Sequence, residues 1–222
     1  MIKKFQLFPL HYRSNKLRRK IPFATLVHLF FRWFSCPFEK LLPLLPGQGV
    51  VLDLGCGHGI MLQMADGLLS QDVKLIGFDI DVHKIDLAQV LNVSQRVSYK
   101  VCDITADAGI RDVSSVVLND VLHLFVWSDQ EELLRRCYHY LSPNGVLLIK
   151  EIEAHFSWKY YWTYFQELLV NHVFRLTYGR GLCYRTKDSL LEVLGKCGFQ
   201  IDVIPAHKGY PYAHIIYCCH KN

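Results

Sequence analysis

A chain of 222 residues that is 51% hydrophobic and 20% charged has the apolar material for one α/β domain with a large core, and it is too hydrophobic to remain disordered. The formal net charge of +5 is local, because Lys3, Lys4, Arg13, Lys16, Arg18, Arg19 and Lys20 fall in residues 1–20 with no acid among them. Of 25 lysines and arginines those seven leave 18 against 20 acidic residues, a near balance that disfavours a nucleic-acid-binding surface on the body of the chain.

Residues 1–20 read as a basic arm, and residues 23–34 as a helix rich in aromatics. Residues 21–34 are the longest apolar run, but they are too short to span a bilayer, contain His28 and Arg32, and lack a small-residue cleavage site. A basic segment ahead of an aromatic amphipathic helix has the composition of a membrane-surface anchor, and equally that of a helix capping a site. Cys36-Pro37-Phe38-Glu39 breaks this helix, and a short second one over 38–45 ends at Pro46-Gly47. We therefore take 1–46 as an arm with capping helices and 47–222 as the main domain.

From residue 50 strands and helices alternate. Strands are predicted at 50–54, 74–79, 97–102, 115–119 and 146–150. Helices are predicted at about 58–69, 82–93, 106–112 and 129–141, the last capped by Ser128 or Asp129. That cadence implies a parallel sheet covered on both faces, with ligands outside the carboxyl ends of the strands. Beyond it come an aromatic-rich segment at 156–176, a loop at 177–186, a helix at 187–197, a strand from Gly198-Phe199 and a last strand from Tyr212 to Cys219. The eight cysteines form no C-x-x-C pair, so they predict reduced thiols in a cytoplasmic protein and no bound metal.

The most informative stretch is Val50-Val51-Leu52-Asp53-Leu54-Gly55-Cys56-Gly57-His58-Gly59. Its G-x-G-x-G turn, with Ile60 next, is not the G-x-G-x-x-G of dinucleotide sites. The decapeptide resembles the first motif of the class I S-adenosylmethionine-dependent methyltransferases. Asp79 at the end of the second strand, Cys102-Asp103-Ile104 after the third, and Asn119-Asp120-Val121-Leu122-His123 after the fourth follow in that family's order. The resemblance covers about residues 47–152 and implies a Rossmann-like methyltransferase fold. In it, a mostly parallel seven-stranded sheet inserts its antiparallel last strand between the fifth and sixth.

The resemblance also implies S-adenosylmethionine as cofactor and S-adenosylhomocysteine as product. Gly55, Cys56 and Gly57 would curl under its methionine part, and Asp53 would place its amino group. Asp79, with Ile80 beside it, would accept the ribose hydroxyls, since an ionised carboxylate offers only acceptors. Asp81 is the weaker neighbour for that role. Asp103 would meet the adenine amino group between Cys102 and Ile104, and the Asn119 carbonyl would meet the cofactor amine.

For the acceptor, His123 and His155 are the candidate bases, because imidazole titrates near neutrality. His58 reads as packing on the first helix of the domain. Residues 156–164 hold six aromatics, within an expected acceptor lid at about 153–186, and Arg180, Tyr184 and Arg185 follow. Arginine there is able to hold a carboxylate or phosphate. The N-D-V-L of the fourth motif is not the N/D-P-P-Y/F that holds a flipped base, which disfavours DNA methylation. The expected activity is methyl transfer to a small apolar, lipid-like or carrier-attached acceptor, with oxygen as the favoured target. An RNA or protein methyltransferase and a non-catalytic S-adenosylmethionine-binding protein are the alternatives.

Overall fold

The computed structural model describes residues 21–152 and 183–222. Helix α1 spans Phe23–Ser35, and Pro37 starts the single-turn helix α2, Phe38–Leu41, which tightens into a 3-10 turn at Leu42–Leu44. Strands β1 (Gly49–Leu54), β2 (Val73–Asp79), β3 (Val97–Val101), β4 (Val113–Asn119) and β5 (Leu141–Ile152) carry the parallel sheet. Helix α3 (Ile60–Asp66) follows β1, α4 (Val82–Leu91) follows β2 and α5 (Trp127–Tyr140) follows β4. Helix α6 (Lys187–Lys196) leads into the antiparallel pair β6 (Phe199–Pro205) and β7 (His214–Lys221).

The sheet order is β3-β2-β1-β4-β5-β7-β6, with β7 antiparallel to both neighbours. This is the expected seven-stranded arrangement. Two apolar clusters sandwich it. Val51, Leu62, Leu75, Ile85 and Cys218 belong to one, while Leu52, Val116, Leu134, Leu194 and Cys219 belong to the other. Successive residues of a strand face opposite sides, so Leu52 and Val51 part company, as do Cys218 and Cys219. Strands buried on both faces read as the unbroken apolar runs seen in the sequence.

Several boundaries differ from the sequence reading, each for a local reason. Helix α3 is shorter than 58–69, because Gly59 enters it in the left-handed region (φ 74°) and Arg96 donates to the carbonyls of Asp66, Leu69 and Ser70 at its end. Asn92 stops α4 by donating to the Val97 carbonyl and accepting from the Ser94 amide. No helix forms over 106–112. There the Asp107 carboxylate accepts from the Gly109 amide and pairs with Arg111, while the Ala108 amide donates to the Tyr140 hydroxyl. Helix α5 begins two residues before Asp129, after Val126, and neither Ser128 nor Asp129 caps it. Strand β5 is longer than predicted, and its register with β4 shifts between Val113 and Ser115.

All eight cysteines are unpaired thiols. Among the described residues no helix is long and apolar enough to cross a membrane.

Candidate active site

Parallel strands end together, so the residues after β1, β2, β3 and β4 collect along one edge of the sheet. The loop after β1 is fastened there by β2. The Gly55 and Cys56 amides donate to the Phe78 carbonyl at 2.7 and 2.9 Å. Asp79 then holds the loop from its side chain, one carboxylate oxygen accepting from Gly57 N at 2.8 Å and the other from Asp81 N at 2.9 Å. Each oxygen keeps a further lone pair for a hydroxyl.

The loop glycines differ in what surrounds them. A Cβ on Gly59 would lie 2.4 Å from the Tyr99 hydroxyl, so that glycine serves packing. A Cβ on Gly57, which has φ +55°, would meet nothing within 4 Å. Open space beside a left-handed glycine, next to a carboxylate with spare acceptors, is a cradle that fits a sulfonium nucleoside. Gly57→Ala is expected to cost the fold only about 1 kcal/mol of left-handed strain. It should nonetheless weaken S-adenosylhomocysteine binding at least ten-fold by titration calorimetry, because the new methyl occupies the cradle.

Asp53 is buried under this loop. Burial pushes its carboxyl up to about 7; Asp79 adds to the shift and the Arg32 guanidinium opposes it. Asp81 does not face the cradle, since it caps α4 by accepting from the His83 and Lys84 amides. Asp103 folds onto its own loop, taking the amide and hydroxyl of Thr105 at 2.8 and 2.7 Å. Ile80 is exposed beside Asp79, Cys102 is half-buried and Ile104 is buried. His58 sits with its ring centroid 5.7 Å from that of His28 on α1.

The structure adds a residue that sequence reasoning missed. Arg32 reaches down from α1, donates to the Asn119 carbonyl at 2.9 Å and pairs with Asp120 at 2.7 Å. The carbonyl expected to meet the cofactor amine thus already holds one cation, with a second lone pair remaining. Its only signal in the sequence was a charge alone in an aromatic helix. Asp120 has φ 56° and also grips Lys150, which is fully buried at the end of β5. Burial works against ionisation of Asp120, but Lys150 and Arg32 outweigh it and hold the carboxyl well below the usual range.

His123 and Glu151 meet at the carboxyl ends of β4 and β5. His123 Nδ1 lies 2.6 Å from Glu151 Oε2, and both residues are buried. Glu151 Oε1 accepts from the Val121 and Leu122 amides at 3.2 and 2.8 Å. Tyr184 stacks on the imidazole at 4.7 Å. These three residues, with Gln130, Ile152 and Tyr217, line a small, partly open pocket.

Arg185 does not offer its fork to an acceptor. It is bound to Gln130, Ser189, Glu131 and the Trp127 carbonyl, and lies over the Trp127 ring. His155, Arg180 and the aromatics of 156–164 lie outside the described residues.

A methyltransferase-domain family model matches residues 28–203, and the chain belongs to that family. Its fold is that of the class I S-adenosylmethionine-dependent methyltransferases. Among curated proteins it is similar to the carboxy-S-adenosyl-L-methionine synthase of Actinobacillus pleuropneumoniae serotype 3 (strain JL03). The two are 33% identical over 105 residues, covering 46% of this chain and 44% of that protein. The chain thus spans less than half the length of that relative.

Among solved structures it resembles a chain of the complex between the Haloferax volcanii Trm112 methyltransferase activator and the putative methyltransferase. The TM-score is 0.71 at 13% identity, over 89% of this chain and 94% of that one. It also resembles NcsB1, an O-methyltransferase from neocarzinostatin biosynthesis solved with S-adenosyl-L-homocysteine and 1,4-dihydroxy-2-naphthoic acid. There the TM-score is 0.65 at 19% identity, over 87% of this chain and 56% of that one.

Proposed function

We propose that this chain transfers the methyl group of S-adenosylmethionine to an oxygen of a small acceptor that is apolar, lipid-like or carrier-attached, with His123 removing the acceptor's proton. When bound, the cofactor supplies a methyl group made electrophilic by the adjoining sulfonium. The chain's own residues do the rest. Asp79 accepts the ribose hydroxyls while holding the glycine loop open, and Gly55, Cys56 and Gly57 bound the methionine part. Asp53 and the Asn119 carbonyl receive the amine. Ile80, Cys102, Asp103 and Ile104 surround the adenine. Helix α1, through Arg32 on the Asn119 carbonyl, would close the site, with residues 1–46 serving as a cap on the domain that follows.

The observation that carries the reaction type is the His123–Glu151 contact at the wall of the cavity. With Glu151 accepting, Nδ1 donates, and in the neutral imidazole Nε2 is then the atom that would take the acceptor's proton. That is the tautomer a base needs. His155 is a second candidate, on sequence position alone. The test is to incubate the full chain with S-adenosylmethionine and a panel of phenolic, enolic and carboxylic acceptors, and to quantify S-adenosylhomocysteine. Turnover with an oxygen acceptor, lost in His123→Ala while S-adenosylhomocysteine still binds, supports the reading. Turnover only on RNA or on a protein, weakening steeply with salt for RNA, would replace it.

Asp53 makes the cofactor half testable by pH. With its carboxyl near 7, the free protein holds Asp53 largely protonated at pH 5.5 and largely ionised at pH 7.5. A cationic amine binds the ionised form, so affinity for S-adenosylhomocysteine should rise by roughly ten-fold or more over that interval. Asp53→Asn should flatten the profile. The ligand-free fold responds with the opposite sign. A carboxyl raised in the folded state contributes stability below its unfolded value, and that contribution is lost as pH climbs from about 4 to 7.

A further inference from the structure

We propose that α1 is a membrane-docking helix whose outer face lies on an anionic phospholipid surface. Phe23, Val27, Phe30, Phe31 and Phe34 are all exposed, Phe23 at 81% and Phe31 at 62%. At 100° per residue these five positions fall within one arc of about 100°, a continuous apolar stripe along the helix. Leu29 and Trp33 occupy the opposite side and are buried, Leu29 within a cluster that includes Leu91 of α4. Arg32 turns inward as well, bound to Asn119 and Asp120.

The usual amphipathic logic is therefore inverted. A helix packed on the body of the domain turns Phe23, Phe30 and Phe31 outward and carries no carboxylate. Exposed apolar patches of this kind mark an interaction surface.

Charge selects the occupant. The segment leading into α1 carries seven lysines and arginines in 20 residues with no acid. A second copy of the chain on the stripe would bring two such segments together. An anionic bilayer attracts the segment, while the phenylalanines enter the boundary between headgroups and acyl chains.

The test is co-sedimentation of the full chain with vesicles of phosphatidylcholine alone and of phosphatidylcholine with one-quarter phosphatidylglycerol. The chain should pellet with the mixed vesicles and at least ten-fold less with the neutral ones. Binding should fall as salt rises from 0.1 to 0.5 M. Phe23→Glu/Phe31→Glu should lower the partition coefficient at least ten-fold and leave S-adenosylhomocysteine binding unchanged. If that pair fails to fold, Phe23→Ser/Phe31→Ser gives the same readout at exposed positions. The proposal is overturned if the wild-type chain ignores the mixed vesicles, or if the folded variants bind them as well as wild type. It is equally overturned if sedimentation equilibrium shows a dimer that the phenylalanine variants abolish, since a second copy is then what covers the stripe.

Discussion

Replacing Glu151 by glutamine is expected to invert the tautomer of His123 and to lower methyl transfer by about 10²- to 10⁴-fold, the usual range for losing a positioned base. The reasoning follows from the three contacts of one carboxylate. Oε1 takes the Val121 and Leu122 amides, and Oε2 faces His123 Nδ1. Glutamine has one acceptor and one donor to distribute. Turning its oxygen to the imidazole would strand two buried amides, each costing on the order of 1–3 kcal/mol. Its oxygen therefore stays on the amides, and its NH₂ group faces Nδ1.

A neutral imidazole then moves its proton to Nε2, and the lone pair that the proposed base would use is gone. The fold is kept, so the melting temperature should shift by only a few degrees. Long-range ¹H–¹⁵N spectra of His123 read the tautomer directly, with no acceptor required. An unchanged Nδ1–H pattern in Glu151→Gln would end the proposal that Glu151 poises a base. So would activity that survives both this change and His123→Ala. The double variant should be no slower than the worse single one, because both act through the same nitrogen.

The strands were legible because burial on both faces leaves uninterrupted apolar runs, and the glycine turn stood out because three glycines at alternate positions follow one of them. Order along the chain placed Asp53, Asp79, Asp103 and His123 on one edge, since parallel crossovers leave no other choice. Helix ends were less legible. Arg96 trims α3 from 30 residues away, and no local pattern announces a guanidinium that arrives from the start of another strand.

The same holds for the site. Nothing local in the sequence links Glu151 to His123, 28 residues earlier, and strand register is what sets them together. Lys150 read as the polar end of a strand, and its complete burial depends on Asp120 and on α1 covering both. Arg32 and His28 marked only that the apolar run could not cross a bilayer. The inward direction of Arg32 is a tertiary fact, fixed by Leu29 and Trp33 packing on the other flank of the helix. Arg185 shows the reverse error. Arginine in a loop beside a cavity suggests anion binding, but every arm of this one is engaged by α5 and α6.

Removing the charge of Asp120 is expected to destabilise the protein by about 3–5 kcal/mol, the usual penalty for leaving one member of a buried ion pair alone. Lys150 is fully buried, and Asp120 is its carboxylate partner. The nearby His214 offers no substitute, because burial and Lys150 push it down to about 3 and it is neutral. Arg32 is partly exposed and can turn to water, whereas Lys150 cannot.

Three variants separate the contributions at this position. Asp120→Asn tolerates the left-handed backbone at φ 56° and loses only the charge. Asp120→Ala should cost about 1 kcal/mol more, for a Cβ residue without that tolerance. Asp120→Asn combined with Lys150→Met should recover much of the loss, since an apolar replacement of both partners removes the buried charge itself. In Asp120→Asn the unpaired ammonium has a lowered pKa when folded, so the unfolded chain binds the proton more tightly and stability should rise from pH 7 to 9. Urea titrations at the two pH values measure all of this. A single variant within 1 kcal/mol of wild type at pH 7 would mean that Lys150 finds water or another anion, and that this pair does not hold β4 and β5 at the mouth of the site.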